Sequence, residues 1–318
     1  MNKDQLISRL TDKGFWFLRS NHYADALAVG RRLNRLRHSS AFEIMALAHL
    51  GLHRLSKAIA VLEEGVAKAG RVWLLWELLG NCYSDAGRYK NAERAYQQAL
   101  LREHCDANVI HLNRAIAFNR ADEPQKAWMA IQKVESPRLA RQADPVRIRI
   151  QLALGKKRSA SELALNLSRR RLPVEDLDSR NESFLLATCA QALNNVGKRR
   201  KARSLAFRAV GFNPDNTEAL SLIRDMDNKR SPGTSLYQLL IRGIWNEPFG
   251  KSKVPPGFFR SCQVAAPDES TAFQLAKRFF PPEVRSSLAV EECKTISSKD
   301  TKLHGVYFLS GLMLYRRR

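Results

Sequence analysis

His49 and His53 stand four residues apart, the spacing that puts both on one face of a helix and could offer two nitrogens to a metal. No further ligand is suggested nearby, so a packed or surface pair is expected. Glu63–Glu64 and Glu291–Glu292 are the next candidates, for acid–base work. Neighbours diverge by about 100° on a helix and face opposite sides on a strand, so neither pair forms an acid–base couple. The five cysteines include no C-x-x-C pair and read as reduced thiols, with Cys82 and Cys189 at core-like positions. No phosphate-cradling glycine loop, no H-E-x-x-H and no G-x-S-x-G occurs. The residue types thus supply no catalytic constellation. The expectation is a protein that is not an enzyme and that uses no metal and no cofactor.

Charge is the chemistry that remains. Lys and Arg number 53 against 31 Asp and Glu, a formal net charge of +22. Half of that excess lies in residues 136–210, with 17 basic and 6 acidic side chains, while residues 71–135 are almost neutral with 9 and 8. The basic block includes Lys156, Lys157 and Arg158, then Arg169, Arg170 and Arg171, then Lys198, Arg199, Arg200 and Lys201. Such a field attracts an acidic protein, a nucleic acid or an anionic surface, in a salt-dependent way. It also reads as a solvated face that keeps the chain in solution. Modules that hold nucleic-acid bases usually interleave aromatics among the cations, and this block has only Phe184 and Phe207. Nucleic-acid binding here would rest mainly on phosphate contacts, and it is the second reading.

The elements that position these groups follow from periodicity. Residues 73–104 carry Trp76-x-x-Leu79-Gly80-x-x-Tyr83 and then Ala92-x-x-x-Tyr96 and Ala99. The first set lies at i, i+3, i+4 and i+7 on one helix face, with Gly80 letting a second helix approach. Similar patterns start at Ile7, Ser39, Asn108, Arg141 and Ser183, giving starts at 7, 39, 73, 108, 141 and 183. The copy at 183 is clear (Leu186, Cys189, Ala190, Leu193, then Ala202, Ala206, Ala209). The copies at 108 and 141 are weaker, the former having Arg114–Ala115 where a Leu–Gly pair is usual. The last interval is long and contains Leu172–Pro173, so an insertion or broken helix is expected between 169 and 182. Over residues 5–228 the chain resembles tetratricopeptide-repeat proteins, whose unit is a helix–turn–helix of about 34 residues that needs stacked neighbours to bury its apolar side.

That resemblance implies a mostly α fold: a right-handed helical-repeat solenoid of about six hairpins, closed by a capping helix from Glu218 to about Asn228. It also implies that the first helix of each unit lines an inner, concave wall. Transferred to this sequence, the inward positions include Glu43, Leu47 and Leu50; Leu74, Glu77, Asn81 and Ser84; Leu112, Ile116 and Asn119; Arg149; and Gln191 and Asn194, with Asn113 and Arg120 beside them. Groove asparagines in related proteins bond an extended peptide, and Asn81, Asn119 and Asn194 resemble them; an amide suits this because it donates and accepts at once. The two-carboxylate clamp of some chaperone-binding relatives needs Lys and Arg in slots that are mostly apolar or amide here. His49 sits where relatives carry Tyr.

Beyond Lys229–Gly233, which reads as a linker, the period changes. Strands are expected at Tyr237–Trp245, Phe258–Val264, Leu288–Ile296 and Val306–Tyr315, with a helix opened by Pro267–Ser270 and ended by Pro281–Pro282. The order β-β-α-β-β makes a small α+β domain, in which Phe258–Phe280 followed by Ser286–Ile296 looks like a βαβ half of a ferredoxin-like unit. The expected domains are 1–229 and 230–318. The N-terminal residues lack the apolar core of a secretion signal and the apolar stretch near the end is too short to span a bilayer, so a cytoplasmic protein without membrane contact is expected. The functional expectation is an interaction or adaptor protein. It would bind another protein or a peptide segment in the concave groove, and the net charge would favour an acidic partner.

Overall fold

The computed structural model describes residues 2–169, 178–231, 233–248, 254–298 and 303–315. They form two compact units, Met1–Leu154 and Gly155–Arg318. The first holds helices α1 (Lys3–Arg19), α2 (Tyr23–Arg35), α3 (Ser40–Gly51), α4 (Leu55–Ala69), α5 (Trp73–Asp85), α6 (Tyr89–Leu100), α7 (Ala107–Arg120), α8 (Pro124–Ile131) and α9 (Ala140–Ala153). The second holds α10 (Lys157–Arg169), α11 (Ser179–Asn194), α12 (Arg199–Phe212) and α13 (Thr217–Asp227), then β1 (Ser235–Ile244), β2 (Gly257–Ala266), α14 (Glu269–Lys277), β3 (Ala289–Ser298), β4 (Gly305–Leu309) and β5 (Met313–Tyr315). Among the described residues no helix is long and apolar enough to cross a membrane.

The helix boundaries follow the repeat register closely. Left-handed residues stand at Asn21, His53, Gly87, Asp122, Gly155 and Gly197, each fourteen positions after a start read from the sequence. At the hairpins the N–H of the next residue reaches back to a carbonyl of the first helix: His22 to Phe17, Arg54 to His49, Arg88 to Tyr83, Glu123 to Phe118 and Lys198 to Leu193, at 2.8–2.9 Å. This is a Schellman closure, in which one left-handed residue lets the chain turn back on its own carbonyls. The residue after the left-handed one, whose N–H makes that bond, then serves as N-cap of the second helix, where no side-chain cap bond is made by His22, Arg54, Arg88, Glu123 or Lys198. Several other helices begin on side-chain caps, from Asn2 in a capping box with Gln5, and from Asp106, Asp178, Asn216 and Asp268.

Packing in the first unit explains why the hairpins stack. Gly14, Gly65 and Gly80 lie against Ile44, Phe42 and Tyr96, so close that a Cβ at any of them would overlap the neighbour. Leu10, Ala26, Leu33, Phe42, Ile44, Ala58, Leu62, Leu75 and Leu79 form one continuous core through the first three hairpins. The fourth hairpin is the irregular one. Its second helix has eight residues and starts on Pro124, and Val134 is buried just beyond its end. The first helices α1, α3, α5, α7 and α9 touch one another in succession, as they must to form the inner wall of a stack. In the second unit α10 ends at Arg169 and α11 begins at Ser179; Leu172–Pro173 lies outside the described residues.

The sheet of the second unit has strand order β3-β1-β2-β4, with β5 also paired to β2, and every pairing is antiparallel. β2 and β3 therefore run parallel with β1 between them and α14 crossing from one to the other. This is a split βαβ, as the ferredoxin-like expectation required. The single strand expected over Val306–Tyr315 is broken into β4 and β5. Ser310 donates its N–H to Ser261 O, but its hydroxyl, not its carbonyl, accepts from Ser261 N at 2.9 Å, and the carbonyl instead accepts from Arg260 Nε at 3.0 Å. The capping helix α13 lies between α12 and this sheet. Asp227 pairs with Arg203 at 2.6 Å and with Arg278 at 2.8 Å, the Phe207 and Phe279 rings pack tilted with centroids 4.9 Å apart, and the Arg224 guanidinium sits 3.9 Å over the Tyr307 ring. The change from helices to strands at 228–235 thus falls inside the second unit, while the division between the units falls at Leu154/Gly155.

Candidate partner-binding face

In the first unit the inward positions meet on the wall made by α3, α5 and α7. Glu77 is its hub. Its Oε1 accepts from Asn81 Nδ2, one turn along α5, at 3.2 Å, and from Asn113 Nδ2, across on α7, at 2.9 Å. Asn81 Oδ1 in turn accepts from the hydroxyl of Tyr96 on α6 at 2.8 Å. Tyr96, read from the sequence as a packing residue, is therefore also the support that orients Asn81. The signal for this was available in the i, i+4 spacing of Glu77 and Asn81, but not in Tyr96, whose ring burial and hydroxyl role are independent.

Burial governs the electrostatics here. It pushes the Glu43 carboxyl above the usual carboxylate range, and the charge of Glu77 pushes it further. Burial likewise raises Glu77; the bonds from Asn81 and Asn113 work against that rise, and the charge of Asp106 adds to it. Neither carboxylate forms an ion pair among the described residues. Glu43 and Glu77 occupy the same fifth position of successive repeats, which is why α3 and α5 bring them together. Ser84, seven residues beyond Glu77, is 4% exposed and its hydroxyl has no partner among the described residues; the side-chain Oδ1 of Asn119 on α7 is also buried without one there. Arg120 is exposed and pairs with Asp85 at 2.6 Å. Leu112, read as inward, is buried in the core of the fourth hairpin, and Asn113 beside it makes the reach to Glu77. Arg149 is half-buried on α9.

The other assigned residues belong to the second unit. Gln191 is exposed on α11 and donates to Asn195 at 3.0 Å, and Asn194 is half-buried one turn further on. Lys156, Lys157, Arg158, Arg169, Lys198, Arg199, Arg200 and Lys201 are all exposed, most of them at the starts of α10 and α12, while Arg170 and Arg171 lie outside the described residues. No group of three or more potential metal-ligating side chains occurs among the described residues. His49 is half-buried, and burial followed by the nearby Lys57, Arg54 and Arg31 holds it below the usual histidine range; His53 is the left-handed turn residue.

Neither a protein-family model nor a curated protein matches the chain in sequence. Solved structures match in shape. PilW, a widely conserved type IV pilus biogenesis factor, aligns at a TM-score of 0.56 and 15% identity over 70% of this chain and 100% of its own. PilF of Pseudomonas aeruginosa aligns at 0.54 and 12% identity over 70% of this chain and 98% of its own. The Cut9–Hcn1 hetero-tetramer of APC/C aligns at 0.56 and 10% identity, over 66% of this chain and 40% of the matched one. At these identities the likeness is one of fold. The chain accordingly has a tetratricopeptide-repeat-like fold of stacked helical hairpins, followed by a small C-terminal α+β sheet; a shared fold does not by itself assign a function.

Proposed function

We propose that this protein is a non-enzymatic adaptor that holds a partner protein or extended peptide against the inner wall of its first unit, in the cytoplasm. The observation that carries the reading is the Glu77–Asn81–Asn113 cluster. Three polar side chains from two successive hairpins converge where apolar residues would serve packing better, and a wall of amides and carboxylates matches the donors and acceptors of a peptide. The reading is tested by photo-crosslinking in the native cell extract, with a photoreactive residue at Leu47 on α3 or at Gln97 on the outward side of α6. Partner adducts are expected from Leu47 and not from Gln97. Adducts from Gln97 alone, or from neither position, overturn it.

A further inference from the structure

Two acids lie on the wall of the first unit, in a chain that is basic overall. A protein of net charge +22 has cations to spare, yet two half-buried carboxylates, Glu43 and Glu77, stand at equivalent positions of the contacting helices α3 and α5 with no cation paired to either among the described residues. Lys or Arg at a neighbouring position would relieve this at once, as Arg114 does for Glu93 at 2.9 Å and Arg120 for Asp85 at 2.6 Å on the same stack. A second observation lies on the same stripe. Seven residues turn a helix to within about 20° of its starting direction, so Ser84 looks the same way as Glu77, and it is 4% exposed with its hydroxyl unmet. At the equivalent position of the contacting helix α7, Asn119 has an unmet side-chain carbonyl oxygen among the described residues. Unmet buried donors and acceptors are rare in folded proteins and call for a polar group to satisfy them.

We propose that the wall takes a lysine or arginine side chain of the partner between Glu43 and Glu77, with the adjoining peptide unit served by Ser84 and Asn119. This rests on the reading of the wall as the partner-binding face and gives that partner a chemistry: a basic segment. The positive field of the whole chain repels such a segment, so capture depends on the local carboxylates, and their low-dielectric setting strengthens a charge-assisted bond. The pair then acts as a filter, passing only partners whose cation is placed to reach it.

The probe is a fluorescent hexalysine peptide, with hexaglutamate for comparison, titrated into the full-length protein at low salt and followed by anisotropy. Hexalysine is expected to bind wild type, to be weakened about tenfold or more in Glu43→Gln/Glu77→Gln, and to be unaffected by Glu103→Gln, an exposed acid away from the stripe. The double variant is expected to melt at a higher temperature than wild type, since it relieves the repulsion, so loss of binding cannot be assigned to unfolding. Failure of wild type to bind hexalysine, or undiminished binding by the double variant, overturns the proposal. If the native partner still crosslinks from Leu47 in that case, the wall remains the binding face and only its preference for a cation falls.

Discussion

At the residue scale the protein trades stability for an arranged surface. Glu43 and Glu77 have folded-state values raised by burial and, for Glu43, by its neighbour. A carboxyl raised in the folded state contributes stability that is fully present below its unfolded value and is lost as pH rises through the folded value. Chemical denaturation in the mildly acidic range is therefore expected to show stability declining as pH rises past the ordinary glutamate range, and Glu43→Gln to flatten that decline; an unchanged slope would contradict the assignment. Gly80 tells the opposite story, of a position fixed by packing. A methyl there meets the Tyr96 ring, and that ring also orients Asn81 through its hydroxyl. Gly80→Ala is expected to cost about 1–3 kcal/mol in urea melts and to weaken partner capture as well. Gly80 was legible in the sequence as a close-approach glycine. The link from Tyr96 to Asn81 was not, because apolar spacing says nothing about where a hydroxyl ends.

At the element scale the hairpins were largely legible, since each is marked by apolar spacing. Glycine occupies the left-handed turn at Gly87, Gly155 and Gly197, but Asn21, His53 and Asp122 fill the same backbone role. Glycine adopts this conformation freely and other residues pay about 1–2 kcal/mol. Gly87→Ala is expected to lower stability by about 1 kcal/mol and His53→Gly to leave it equal or higher, both read by thermal melts; a neutral Gly87→Ala would show that the turn can relax. The break at Ser310–Leu312 was the element that spacing could not reveal. An apolar run reads as one strand, whereas the interruption arises because the Ser310 hydroxyl replaces its carbonyl in the ladder and the buried Arg260 takes that carbonyl. Charge is also set against helix polarity. The first turn of α12 has no acid and opens on Lys198, Arg199 and Arg200, beside the positive end of the helix dipole. Arg199→Glu is expected to gain about 0.5–1 kcal/mol at low ionic strength, a gain that shrinks with added salt.

At the scale of the whole molecule, two compact units each carry their own apolar interior, and in the second one carboxylate takes part in joining the last helices to the sheet, beside the Phe207–Phe279 and Arg224–Tyr307 contacts. Asp227 is 8% exposed and answers both Arg203 and Arg278. Asp227→Ala leaves those cations without their counterion and is expected to cost about 2 kcal/mol. Hydrogen exchange should report faster opening over α12, α13 and the sheet with protection over residues 2–154 retained; equal loosening of both units would show that they unfold together. The sequence marked where helices give way to strands, because period and proline content change there. It did not mark how the last helices are tied to the sheet, because Asp227 and Arg278 are 51 residues apart and belong to no common period. The hairpin turns carry a wider consequence. One backbone closure ends each first helix and starts the second, so the side chains at Arg54, Arg88, Glu123 and Lys198 make no cap bond that holds the turn. The rim of the stack is chemically free text: its charges can be rewritten from one descendant to the next, changing what the molecule drifts toward while the packed wall of the stack stays as it is.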